Sequence, residues 1–299
     1  MKIAGLVKFR RRAMACKGGV RAIGAALAGV LAGPAWANGV GLAEPGQIGF
    51  QMGVTPIARE IQWFHDDLLM PIITAISLLV LALLFYVIWK FNEKANPTPS
   101  KTTHNTLVEV AWTIIPVLIL VVIAIPSFRL LTNELTIPPA DVTVKVTASQ
   151  WHWTYEYPKD QGGFSFDSYM KADSEIKPEN GDVRLLSVDN EAVVPVNKTV
   201  VLQVTAVNVI HSFVIQSFGI RIDAVPGRLN ETWFKADREG VYYGQCSKIC
   251  GKDHAFMPIV FRVVSDEKYQ AWLADAKKKF AAAPNAVSVA DAGATDIRQ

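Results

Sequence analysis

The sequence predicts a membrane-anchored all-β protein, a two-helix transmembrane hairpin followed by a Greek-key β-barrel or sandwich. Three observations predict it. Two uncharged apolar runs, Leu68–Trp89 and Val110–Phe128, span 22 and 19 residues. As helices rising about 1.5 Å per residue they can cross a hydrocarbon core of about 30 Å. From about residue 141 to 264 the hydrophobic pattern changes to period two, as half-buried strands require. Composition agrees: charged residues make up 19% of the 299 residues and mean hydropathy is +0.22, whereas soluble domains carry about 25% charge. With 51% hydrophobic residues the chain is neither disordered nor collagen-like.

The first segment has its own character. Residues 1–37 hold Lys2, Lys8, Arg10, Arg11, Arg12, Lys17 and Arg21 and no acid. The rest carries 23 bases against 27 acids, so the net +3 of the whole chain hides a −4 over residues 38–299. That placement removes the nucleic-acid reading of a basic protein, and no nucleic-acid partner is expected. A basic start, an apolar stretch Ala22–Ala32 and Ala35-Trp36-Ala37 form a secretory signal with an A-x-A cleavage pattern. The apolar stretch is too short to span a membrane, which takes roughly 20 residues. Residues 38–65 then form an exported N-terminal segment.

The hairpin is expected over residues 66–131. Pro71 sits near the start of the first run, where it is tolerated; Pro116 lies inside the second and predicts a kink or a rescued carbonyl. Trp89 and Trp112 sit near span ends, as interfacial aromatics do. The connecting loop carries Lys94 and Lys101, with Lys90 at its edge, which marks the cytoplasmic side. Asp66-Asp67 precedes the first span on the other side. Both termini and everything after Arg129 are therefore expected outside, in agreement with the signal.

Short β-rich runs follow: 142–148, 151–157, 200–207, 212–215, 241–243 and 259–264, punctuated by Gly162-Gly163, Asn180-Gly181, Pro226-Gly227, Gly240 and Gly244. Trp151, Trp153, Tyr155 and Tyr157 share one face by alternation and read as core. The polar stretch Lys171–Glu191 reads as a long loop. Residues 265–280 read as an amphipathic helix opened by Ser265. The domain is placed at 132–275, with an Ala-rich disordered tail at 276–299.

The chemistry is concentrated in residues 242–259, YYGQCSKICGKDHAFMPI. Cys246, Cys250, His254 and Met257 are soft or borderline ligands, suited to copper rather than magnesium or calcium. A blue-copper site uses one Cys, two His and a weak Met. A second His must come from elsewhere in the β-domain: His211 in NVIHSFVI, or His152 as its rival. Two thiolates can bridge two metal ions, leaving each one imidazole and one weak ligand, with a backbone carbonyl of the C-x-x-x-C loop available. Such a pair shares an unpaired electron and suits a relay. Two other readings exist. Two cysteines four apart in an exported chain can form a disulfide, and a Cys/Cys/His/His set fits zinc, leaving Met257 incidental.

Here the chain resembles the subunit II family of bacterial aa3-type cytochrome c oxidases. The matching stretches are the two spans, 103–117, QWHWTYEYP (150–158), FDSYM (166–170), VIHSF (209–213), DAVPGRLN (223–230) and the copper run, together covering about residues 55–273. The resemblance implies a cupredoxin-like domain with a binuclear copper centre, CuA. Its implied ligands are His211, Cys246, the Lys248 carbonyl, Cys250, His254 and Met257. It implies that Trp151 receives the electron, that Glu109 is a proton-uptake carboxylate on the cytoplasmic side, and that Glu156 and Asp167 face cytochrome c. Glu109 also fits a capping box, Thr106-x-x-Glu109. The implied partners are cytochrome c, a haem-bearing subunit I, subunit III and the lipid bilayer. The implied location is the bacterial inner membrane with the copper domain periplasmic.

Two positions depart from the family. Lys248 stands where relatives usually carry Glu, whose carboxylate helps to hold a magnesium or manganese ion at the boundary with subunit I. An ammonium has no lone pair to give, so the boundary ion loses a ligand, and Lys248 is expected to pair with an acid such as Asp223 or with a haem propionate of subunit I. Asn208 stands where relatives usually carry an acid. Two alternatives from other classes are a copper-free quinol-oxidase subunit and a membrane-tethered copper chaperone.

Overall fold

The computed structural model describes residues 41–280. The signal expected at 1–37 and residues 281–299 of the expected tail lie outside the described residues.

The first membrane helix is longer than its apolar run. α1 (Pro56–Trp63), a π-helical turn (Phe64–Leu69) and α2 (Met70–Lys90) form 35 continuous residues, and α3 (Thr106–Leu135) has 30. Both are long and apolar enough to cross a membrane. The helices thus run beyond the apolar stretches on which a hairpin at 66–131 is expected, because helix ends are set by caps and not by the last apolar residue. The Thr55 hydroxyl oxygen accepts from Ala58 N at 3.0 Å, with Pro56 at the first helical position. Pro116 and Pro126 stay inside α3. The α3 cap is Asn105, one residue earlier than Thr106: its side chain accepts from Val108 N at 3.2 Å, and the Glu109 carboxylate accepts from Asn105 N at 3.1 Å.

Ten strands follow among the described residues. β1 (Val142–Ser149), β2 (His152–Tyr157), β3 (Phe164–Ser168), β5 (Val200–Ala206) and β8 (Asn230–Phe234) make one sheet, in the order β3-β2-β1-β5-β8. β4 (Ala192–Pro195), β6 (His211–Ile215), β7 (Ile220–Ala224), β9 (Gly240–Cys246) and β10 (Pro258–Val264) make the other, in the order β4-β10-β9-β6-β7. β1 with β5 and β4 with β10 are parallel; the other pairs are antiparallel.

The core lies between the sheets. Val142, Val144, Val146 and Ala148 point inward from β1 while Thr143, Lys145 and Thr147 point outward. Trp153, Tyr155 and Tyr157 are fully buried from β2, with Trp153 edge-on to Phe213 at 5.2 Å and Tyr155 edge-on to Phe261 at 5.7 Å. The fourth aromatic of the expected stripe, Trp151, precedes β2 and is only partly buried at the end of the sandwich.

The polar stretch 171–191 is a loop with two short 3-10 turns, held by Lys171–Asp182 at 2.7 Å and Arg184–Asp173 at 3.0 Å. α4 (Asp266–Phe280) closes the domain, with the Ser265 hydroxyl oxygen accepting from Lys268 N at 3.4 Å. It ends at 280, as expected for this helix, and its last turn is packed: Ala276 is buried and Phe280 stacks on Phe166 at 4.7 Å.

The hairpin is fixed to the sandwich at its first turn. Val54 N donates to Ser217 O at 2.9 Å, the Thr55 hydroxyl donates to Phe218 O at 2.8 Å, and Arg59 pairs with Asp237 at 2.6 Å. Gly219, at φ +68°, makes this approach possible: a Cβ there would lie 2.7 Å from Ala58 Cα.

Candidate metal centre

His211 is the first residue of β6 and Cys246 the last of β9. The two strands pair antiparallel with Phe213 opposite Cys246, so the imidazole and the thiol arrive at one end of the same sheet. β9 and β10 also pair, Gln245 opposite Pro258, and the excursion between them returns on itself. That loop carries Lys248, Cys250, His254 and Met257 back to the same point. Ser247 N donates to Ser212 O at 3.0 Å and seats its start. Trp153 Nε1 donates to Met257 O at 3.2 Å and seats its end.

Six donor atoms converge there. Cys246 Sγ lies 3.9 Å from Cys250 Sγ, 3.8 Å from His211 Nδ1 and 3.3 Å from Lys248 O. Cys250 Sγ lies 3.5 Å from His254 Nδ1 and 3.6 Å from Met257 Sδ. Each sulfur therefore has one imidazole and one weak donor beside it. The two cysteines are free and buried, as are His211 and Met257. Among the described residues, His211, Cys246 and Cys250 form the one His/Cys/Asp/Glu group whose ligand atoms all lie within 4.8 Å of each other.

The electrostatics fit a bound cation. Burial, and then the neighbouring Cys246, push the Cys250 thiol up. Two thiolates this close in an apolar site are unfavourable unless positive charge lies between them. Burial, followed by the charges of His254 and His152, brings His211 down to about 4, which keeps its imidazole neutral and able to ligate. His211 Nε2 is buried without a hydrogen-bond partner, while Nδ1 faces the sulfur. Two thiols, two imidazoles, a thioether and a carbonyl are a soft donor set that suits copper.

The structure separates the two candidate histidines. His152 lies on the outward side of β2, stacked on Tyr169 at 4.4 Å with its Nε2 3.8 Å from Asp167. Trp151 reaches the metal loop: its Nε1 donates to Cys250 O at 3.3 Å, and Lys252 Nζ lies 5.5 Å over its ring. Glu156 and Asp167 share the outward face with His152, and each has a partner. Glu156 pairs with Lys145 at 3.1 Å, and Asp167 accepts from the Thr154 hydroxyl at 2.6 Å. Lys248 Nζ stands 3.6 Å from Asp223 Oδ2, the first of the two pairings expected for it. Glu109 belongs to the N-terminus of α3, outside this cluster.

Sequence reasoning passed over Gln150 and Gly251. Gln150 Nε2 donates to Cys250 O at 2.9 Å, and nothing in a lone Gln announces that. Gly251 has φ +129°, for which its place directly after Cys250 was the available signal.

The chain is similar to proteins of one known family. A family model for the periplasmic domain of cytochrome c oxidase subunit II matches residues 142–264, and one for the transmembrane domain of the same subunit matches 43–130. A cytochrome c oxidase subunit 2 of Cereibacter sphaeroides is 47% identical over 254 residues, covering 80% of this chain and 83% of the relative. A probable cytochrome c oxidase subunit 2 of Rickettsia bellii is 52% identical over 234 residues, covering 78% and 86%. The crystal structure of the periplasmic domain of subunit II of the Bradyrhizobium japonicum cytochrome oxidase is 56% identical. It covers 48% of this chain and 99% of that one, with a TM-score of 0.45.

Proposed function

This chain belongs to the cytochrome c oxidase subunit II family, and from that membership we propose that it holds a binuclear copper centre as the electron-input subunit of a respiratory terminal oxidase. The observation that carries the reading is the convergence of four further donors on the Cys246–Cys250 pair. A copper pair held there would supply a one-electron relay.

This chain's residues do the rest. Cys246 and Cys250 would hold the copper as thiolates, with His211 Nδ1 and His254 Nδ1 as imidazole donors and Lys248 O and Met257 Sδ as the weak ones. Burial of Cys246, Cys250, His211 and Met257 keeps water from this side of the cluster and limits rearrangement when charge arrives. Trp151, partly exposed and hydrogen-bonded to Cys250 O, is the contact for reduced cytochrome c. Glu156 and Asp167 give that partner an acidic surface.

In the assembled oxidase the centre would supply electrons to haem in subunit I, where oxygen would be reduced. Subunit III completes the implied assembly. The two spanning helices make this a membrane protein. The Lys-bearing loop between them supports an arrangement with the copper domain on the periplasmic side of the bacterial inner membrane. On that arrangement Glu109 stands at the cytoplasmic edge, positioned by its bond to Asn105 N, where it can take up protons.

The test is copper stoichiometry with electron paramagnetic resonance on the full chain in detergent. Two tightly held coppers sharing one unpaired electron support the reading. None points to a quinol-oxidase subunit, one labile Cu(I) to a chaperone, and either result overturns it.

A further inference from the structure

Two side-chain amides join three loops at the end of the sandwich where the donor cluster lies. Asn208 Oδ1 accepts from Val209 N at 2.9 Å, and Asn208 Nδ2 donates to Gln150 Oε1 at 2.6 Å. Gln150 Nε2 then donates to Cys250 O at 2.9 Å. The chain begins on a backbone N–H, which can only donate, and ends on a backbone carbonyl, which can only accept. Both amide orientations are therefore fixed by the network itself.

The network connects the loop that carries Cys250 with two loops beside it. Asn208 and Val209 belong to the β5–β6 loop, directly before His211. Gln150 belongs to the β1–β2 turn and is bonded in sequence to Trp151. Cys250 belongs to the β9–β10 loop. Its carbonyl takes Gln150 Nε2 and Trp151 Nε1 together, one donor for each lone pair.

We propose that the Asn208–Gln150 amide pair is a positioning clamp, which holds the His211 loop against the Cys250 loop and sets Trp151 on the Cys250 carbonyl. The clamp rests on the electron-input reading for its functional effect, but not for its structural one. Residue 208 then acts as a hydrogen-bond donor. Asp at 208 has the same size and cannot donate to Gln150 Oε1. It attracts the Gln150 NH₂ group, and the amide turns its oxygen toward the Cys250 carbonyl, where two acceptors repel. Gln150→Ala removes the clamp with no change of charge.

The test uses the full chain and the assembled oxidase, with Asn208→Asp and Gln150→Ala beside wild type. On the metal-free full chain, hydrogen exchange should speed up about five- to tenfold across 206–212 and 247–256 in both variants, the loss of one bond at a loop contact. In the oxidase, copper content should hold while the electron step within the docked complex slows several-fold in both. Association with a basic cytochrome should be unchanged in Gln150→Ala and faster in Asn208→Asp, which adds a negative charge. Exchange as in wild type in Gln150→Ala would overturn the clamp. So would an Asn208→Asp variant that only associates faster, with exchange and the internal step unaltered. If wild type holds no copper, the electron-input reading fails, and the exchange measurement still decides the clamp.

Discussion

Gly251 and the indole of Trp151 touch so closely that no side chain fits between them. A Cβ on Gly251 would lie 2.8 Å from Trp151 Cζ2, and the backbone there has φ +129°. The loop residue after Cys250 is thus glycine for two reasons, a conformation that side chains rarely adopt and the approach of an aromatic ring. The closeness gives Trp151 its bond to Cys250 O.

Gly251→Ala should therefore displace the indole and strain the loop without removing a ligand. The expected loss of stability is about 1–2 kcal/mol. Copper content should persist, while electron transfer from reduced cytochrome c should slow several-fold in stopped-flow measurements. A variant as fast as wild type would show that the Trp151 contact is not the electron path.

Cys246→Ser tests the bridge. A hydroxyl is a poor substitute for a thiolate between two soft metals. With Cys246 Sγ at the meeting of His211 Nδ1, Lys248 O and Cys250 Sγ, its loss leaves three donors without a common partner. The variant should hold fewer than two coppers, and the shared-electron resonance should vanish. Two coppers with the wild-type spectrum would remove Cys246 from the bridge.

Much of this was legible in the sequence, for physical reasons that also explain the misses. The two apolar runs needed no partner to be read, since a membrane constrains each helix alone. Their ends were missed by up to a dozen residues, because Thr55 and Asn105 set them through caps lying outside the apolar runs. β1 and β2 were plain from alternation. β4 was missed because all four of its residues are buried and do not alternate. β7 and β8 were missed because each is short and mixed in polarity. The soft-donor cluster was legible because four of its residues fall within twelve positions. Residue types and spacing alone could not separate His211 from His152; the resemblance named His211, and the physical reason is the pairing of β6 with β9, which is a long-range fact. Gln150 was illegible because its role depends on two loops that meet only in the fold.

The acids of the outward face are less free than the sequence suggested. Glu156 shares its charge with Lys145 at 3.1 Å, and Asp167 accepts from Thr154 and lies 3.8 Å from His152 Nε2. Replacing both by their amides should slow association with a basic cytochrome about two- to fivefold at low salt and flatten the salt dependence. Stopped-flow rates across a salt series would measure this. An unaltered slope places the docking surface elsewhere.

Lys248 carries the last prediction. Its ammonium stands 3.6 Å from Asp223 Oδ2, and the two side chains are 49% and 40% exposed. A pair so open to water adds little stability, about 0–1 kcal/mol. Its charge matters more for its place, since Lys248 gives its carbonyl to the space beside Cys246 Sγ at 3.3 Å. A positive charge near the centre favours the reduced state by Coulomb attraction, and Asp223 offsets part of it. Lys248→Glu reverses the charge and sets a carboxylate beside that of Asp223, an oxygen pair able to take a divalent cation. The variant should lower the copper potential and gain manganese in the assembled oxidase. Manganese resonance on wild type and variant, both grown in manganese, is the measurement. Equal signals in the two would show that residue 248 does not control a cation site.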